Sequence, residues 1–210
     1  MTLRWVGLLV LTAIAAQAGA SHAVGRDALP FYGDRDFTPR WSGTSHRVGH
    51  FSLTLQDGKA VGDRDFEGRV YVAGFIYTRC SGICPTLVAN LRRAQLALGD
   101  RDVSFVVFSV TPDLDTPDVL TTFARDHHLD RAHWTLVTGD RSEIYRLARE
   151  SFFADDDRVA ATLSDPNAFL HTEKIFLVDA AGHLRGVYDG TQPFEIDKLV
   201  EDATNLLTQR

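Results

Sequence analysis

The sequence predicts an α/β domain in which strands alternate with helices and a β-hairpin leads into a closing helix. Three observations carry this. Residues 69–77 form a β-rich apolar run, as expected of a strand buried on both faces. A helical repeat follows directly, opening near Cys84 and Pro85. Toward the end of the chain, Lys174–Asp179 and residues 183–188 flank an Ala180-Ala181-Gly182 turn, ahead of an amphipathic stretch.

Taken in order, His50–Leu55 alternates with period two, and Gln56-Asp57-Gly58-Lys59 is a hairpin turn signal. After the run at 69–77, Pro85 is tolerated only in a first helical turn, so the helix begins near Cys84. Leu87, Leu91, Ala94 and Leu98 then recur at helical spacing up to Gly99. Val103–Val110 reads as a second buried strand. Thr116-Pro117-Asp118 opens a second helix with Val119, Leu120 and Phe123 on one face, and Trp134–Val137 is a short strand. Asp140 or Ser142 caps a helix running through Glu150. Residues 195–208 close the chain as a helix, with Ile196, Leu199, Val200, Ala203 and Leu207 on its apolar side. This order is a thioredoxin-like fold with an additional N-terminal hairpin. It puts the cysteines at a strand-to-helix turn, where α/β sheets place their sites.

The 210 residues suit one domain, expected over 49–208, with residues 21–48 as a leader segment wrapping onto it. A formal net charge of -6 offers no basic field for nucleic acid or anionic lipid. Residues 1–20 read as an export signal: Arg4, an apolar run from Trp5 to Ala16, then small residues at Ala18-Gly19-Ala20 and again at Ser21-His22-Ala23. The run is shorter than a membrane span and is broken by Gln17, which favours cleavage, at 20 or at 23, over an uncleaved anchor. No cysteine follows it, which excludes lipid attachment there.

The only two cysteines, Cys80 and Cys84, stand three residues apart. As a structural disulfide the pair would close too short a loop to contribute more than about 2 kcal/mol. At a helix N-terminus, with Arg79 nearby, Cys84 is expected to have a lowered pKa. Two such thiolates either form a disulfide or clamp a soft metal, and the spacing does not choose between them. Where thioredoxins carry a cis-proline against their cysteines, this chain has Phe169-Leu170-His171-Thr172. His171 there would complete a set of two sulfurs and one nitrogen, which suits copper and, less well, zinc; with eight histidines in the chain, a surface histidine is the alternative.

Four stretches resemble the Sco/SenC family of thioredoxin-like copper proteins. They are Phe75–Pro85 with its C-x3-C-P, Ser109–Pro117, Trp134–Gly139, and His171 ahead of Ile175–Asp179, in family order over about 48–207. The resemblance implies a copper ion bound by Cys80, Cys84 and His171. It implies delivery of copper to, or reduction of cysteines in, the copper A site of cytochrome c oxidase. The implied partners are the copper A subunit, another periplasmic copper chaperone, or both, with membrane contact only through a partner or an uncleaved signal. Family members usually keep a membrane anchor, whereas this signal reads as cleavable. The rival readings are a periplasmic thiol-disulfide reductase using Cys80 and Cys84 as a metal-free redox pair, and, less favoured, a peroxidase. The latter usually has its proline before the reactive cysteine, and here Pro85 comes after.

The other conspicuous residues take plainer roles. Asp113, Asp115 and Asp118 follow a strand end and could approach the site, but are expected to cap and be solvated; Asp155-Asp156-Asp157 is expected to form a solvated loop, with a docking patch as the lesser alternative, and His127 and His128 to meet a helix C-terminus. Nothing in the spacing of His46 and His50 demands a metal.

Overall fold

A computed structural model describes residues 28–154, 170 and 172–208. The expected export signal, His22, the aspartates at 155–157 and His171 lie outside the described residues.

Among the described residues, seven strands form one sheet in the order β2-β1-β5-β4-β3-β6-β7. The strands are β1 (Ser52–Leu55), β2 (Ala60–Gly62), β3 (Val70–Ile76), β4 (Val103–Ser109), β5 (Trp134–Thr138), β6 (Lys174–Val178) and β7 (Leu184–Asp189). The central β3 pairs parallel with β4 and antiparallel with β6, and β4 pairs parallel with β5. Among the described residues, four helices surround the sheet: α1 (Cys84–Leu98), α2 (Pro117–Asp126), α3 (Arg141–Arg146) and α4 (Pro193–Thr208). The expected front hairpin is β1-β2, turning at Gly58, whose φ of 82° suits glycine. It adds antiparallel to β5 at the sheet's far side.

All seven residues of β3 are buried because both faces are covered. Val70, Val72 and Ile76 point to the side packed by α1, α2 and α4. Tyr71, Ala73 and Phe75 point to the other, under α3 and an aromatic cluster of Phe51, Phe108, Phe152 and Phe176. This is the continuous apolar pattern of a strand buried on two sides.

Two elements depart from expectation. The helix capped by Asp140, whose carboxylate accepts from the Glu143 amide, is regular only to Arg146 and then widens into a π-turn over Leu147–Ser151. The last helix starts at Pro193, two residues early, since a proline is compatible with a first turn.

Residues 28–48 lie along the sheet's edge and end. Tyr32 donates to the Leu184 carbonyl at 3.0 Å, and Arg185 donates to the carbonyls of Leu29 and Pro30. His46 bonds the Ser151 carbonyl at 2.8 Å and packs on Phe153, while His50 pairs with Asp63. His127 caps the end of α2 against Phe123.

Candidate metal centre

The thiols sit where β3 runs out. Its last residue is Ile76; the chain then turns through Tyr77–Ile83, and Cys84 opens α1 with Pro85 in the first turn. The Cys80 amide donates to the Tyr77 carbonyl at 3.1 Å, curling the turn back toward the strand. Both cysteines are free thiols, each partly exposed.

The turn is fastened by Asp115, which is fully buried. Its carboxyl accepts from the Thr78 amide and hydroxyl, from Ser109 Oγ at 2.6 Å and from Thr111 Oγ1 at 3.1 Å. One side chain thus ties the cysteine turn to the loop after β4, with its buried oxygens satisfied as burial demands. Solvation and capping were expected of this residue, and its burial corrects that. Asp113 is exposed and 3.6 Å from Arg141, and Asp118 is exposed in the first turn of α2, as expected.

The thiols' acidities run opposite to the sequence expectation. Burial pushes the Cys84 pKa up to about 11, and the proximity of Cys80 adds to it, against the opposing pull of the Tyr77 amide. For Cys80, partial burial also works against the thiolate. The Cys84 thiol and the amides of Cys84, Gly82 and Ile83 outweigh it and hold Cys80 below the ordinary cysteine value. The amides of the helix N-terminus therefore decide the balance at Cys80, whereas at Cys84 burial outweighs them. Arg79, exposed in the turn, is among the causes of neither shift.

Cys80 and Cys84 share a pocket with Phe75, Ile76, Tyr77, Ile83, Val110, Leu170 and Thr172. It holds about 20 Å³, room for one water or one ion and not for an organic substrate. Among the described residues, no group of three or more His, Cys, Asp or Glu side chains is placed to hold a metal. Position 171 falls outside those residues, but its two chain neighbours line this pocket.

Two features escaped the sequence reading. Alternating hydroxyls and carboxylates in Ser109–Asp115 hinted at the Asp115 network. Nothing local hinted at Tyr145, whose buried hydroxyl donates to the Val110 carbonyl at 3.0 Å and accepts from the Leu170 amide at 3.1 Å.

A central strand feeding a C-x3-C turn and a helix, with an antiparallel hairpin at its side, defines a thioredoxin-like dithiol protein. The chain belongs to the SCO1/SenC family, whose model matches residues 40–208. It is 30% identical over 167 residues to the SCO1 protein homolog of Bacillus subtilis, covering 78% of this chain and 84% of that one. The structure of BsSco, a member of the Sco family of cytochrome c oxidase assembly proteins, superposes with a TM-score of 0.67 at 30% identity, over 79% of this chain and 95% of that one. Bradyrhizobium japonicum ScoI with copper bound gives a TM-score of 0.58 at 25% identity, over 74% of this chain and 98% of that one.

Proposed function

We propose that this chain is an exported copper carrier that takes one copper ion on Cys80, Cys84 and His171 and passes it to the copper A site during cytochrome c oxidase assembly. The observation that carries the reading is the shared pocket: both thiols and both chain neighbours of His171 line one ion-sized cavity. Two free sulfur donors, one already biased toward thiolate, suit a soft ion, and an imidazole would complete a three-donor set. The Sco relatives supply the class of cargo and recipient: one was solved with copper and another is an oxidase assembly protein.

Copper here is cargo, so the chain must hold it without enclosing it. Cys84 gives up its proton when it ligates, and takes one back when the ion leaves. The exposed Ser81, Gly82 and Ile83 leave the site open to a recipient. The site of action is the periplasm, reached through the segment at residues 1–20, with the copper A subunit or another copper chaperone as partner.

One observation favours a second activity of the same pair. A lowered Cys80 beside a raised Cys84 is the split that dithiol reduction uses. Cys80 thiolate attacks a partner disulfide, releasing one partner thiolate and forming a mixed disulfide. Cys84, deprotonated as it attacks, then displaces the second partner thiolate and leaves Cys80-Cys84 oxidised. The target would be the cysteines of the same copper site.

Elemental analysis of the reduced chain after copper loading is expected to give one copper per chain, and none for Cys80→Ser/Cys84→Ser. His171→Ala is expected to lose most affinity and fail to mature the oxidase at limiting copper, while its dithiol still reduces a model disulfide. Normal maturation by that variant would remove the carrier reading and leave the reductase.

A further inference from the structure

Chain enters and leaves the region around residues 155–169 at two buried residues, Ala154 and Leu170. Both are fastened to the same helical segment. The Ala154 amide donates to the Ala148 carbonyl at 2.8 Å, inside the π-turn, and the Leu170 amide donates to the Tyr145 hydroxyl at 3.1 Å, one turn earlier. Leu170 precedes β6, so its amide lies outside the sheet ladder and is met by a side chain.

Tyr145 is itself held firmly. It is 2% exposed, and the guanidinium groups of Arg141 and Arg149 stand over its ring at 5.3 and 5.4 Å. Its hydroxyl proton goes to the Val110 carbonyl, which leaves the oxygen free to accept from Leu170. Val110 in turn donates its amide to Ile76, the last residue of β3. A continuous path therefore runs from the end of the cysteine-bearing strand, through Val110 and the Tyr145 hydroxyl, to Leu170. Val110 and Leu170 both line the thiol pocket. Position 171 is one peptide further on, about 3.8 Å between Cα atoms. Beyond it the buried Thr172 accepts from the Lys174 amide.

We infer that Tyr145 is a positioning residue for copper binding: its hydroxyl holds the Leu170 backbone, one residue before the ligand His171, at the pocket that Cys80 and Cys84 line. This rests on the copper reading above. Tyr145 is not itself among the residues lining the thiol pocket; it acts through Leu170. Residues of this kind, which orient a ligand without ligating, typically cost ten- to a hundredfold in metal affinity when removed.

Tyr145→Phe keeps the ring and both guanidinium contacts and deletes only the bridge. In the full chain, competition against a chelator of known affinity is expected to show about a tenfold loss of copper affinity. The nitrogen coupling in the Cu(II) electron paramagnetic resonance spectrum should weaken or become heterogeneous. Stoichiometry at saturating copper and the alkylation rate of Cys80 without copper should not move. Tyr188→Phe is the control: it removes another buried hydroxyl, donated to Asp202 on the other face of the sheet, and should leave affinity and spectrum alone.

Wild-type affinity and spectrum in Tyr145→Phe, or an equal loss in Tyr188→Phe, would overturn the inference. So would a further tenfold loss when Tyr145→Phe is added to His171→Ala, because a residue acting through His171 has nothing left to position. If His171→Ala alone binds copper as tightly as wild type, the ligand set itself falls, and this inference with it. Should Tyr145→Phe not fold, hydrogen exchange in the wild type decides: the Leu170 amide is expected to be protected, and free exchange there overturns the bridge.

Discussion

Where β7 begins, Asp179 and Arg185 spend their polar atoms on protein partners. Asp179 pairs with Arg185 at 3.0 Å and accepts from the Ala181 and His183 amides; Arg185 also donates to the Leu29 and Pro30 carbonyls and lies 3.9 Å from the Phe31 ring. At the opposite end, where β3 stops, two thiols stay free and Ile83 and Leu114 are 40% and 43% exposed. Both ends are held by a buried or nearly buried carboxyl, Asp179 at one and Asp115 at the other. The difference lies in what the carboxyl secures. Asp179 uses its bonds to fasten a finished structure, whereas Asp115 fastens a turn whose own donors are left for a ligand. Stability and reactivity are thus placed at opposite ends of one sheet.

The largest effect on stability is expected from Arg185→Ala. It leaves Asp179, only 14% exposed at its side chain, without its cation, at a cost of about 3 kcal/mol in denaturant unfolding. Copper per chain should stay at the wild-type value; a fall in copper binding would break the separation of the two ends. Asp115→Ala should cost about 2 kcal/mol by stranding the Thr78 amide and the Ser109 and Thr111 hydroxyls. Unlike Arg185→Ala, it should also narrow the difference in alkylation rate between Cys80 and Cys84, because the turn that sets that difference is loosened. Mass mapping of the modified thiols checks this, and an unchanged rate ratio would put Asp115 with Asp179 as purely structural.

The third expectation leaves stability untouched. In the reduced protein near pH 8, Cys80 should alkylate well ahead of Cys84. Below its pKa of about 11, the Cys84 thiolate fraction grows tenfold per pH unit, so its rate should climb steeply across pH 8–10 while that of Cys80 levels off. Copper should slow both. Equal rates for the two thiols would show that the free end is less differentiated than its hydrogen bonds imply.

Much of the fold was legible because local rules and burial agree in it. The run at 69–77 has to be buried on both faces, Pro85 has to lie in a first turn, and Gly58 has to turn a hairpin, and each does so. The dithiol and its place at a strand end were legible for the same reason. What stayed hidden depended on distance in space. Cys84 sits at a helix N-terminus, which lowers a thiol's pKa, but burial by β3, Val110 and Leu170 outweighs the dipole, and only the folded chain reveals that balance. Asp115 looks like a loop aspartate until Thr78, 37 residues away, is brought against it. The Tyr145 bridge joins residues 25 apart across a stretch without periodicity, so no spacing pattern encodes it. The π-turn beyond Arg146 has the composition of an ordinary helix.

The Arg185 contact to Pro30 spans 155 residues of chain, and it sets an order of assembly. Strands β3 and β4, with the turn and loop that carry the site, are near neighbours in sequence and have short loops to close. Phe31 can pair with Arg40 at once, but Leu29, Pro30 and Tyr32 meet their partners Arg185 and Leu184 only when β7 exists. At translation rates of roughly 5–20 residues per second, that wait is on the order of ten to thirty seconds. During it residues 28–32 lack their contacts to β7. Docking of residues 28–32 onto the sheet edge therefore requires a chain made through its final hairpin.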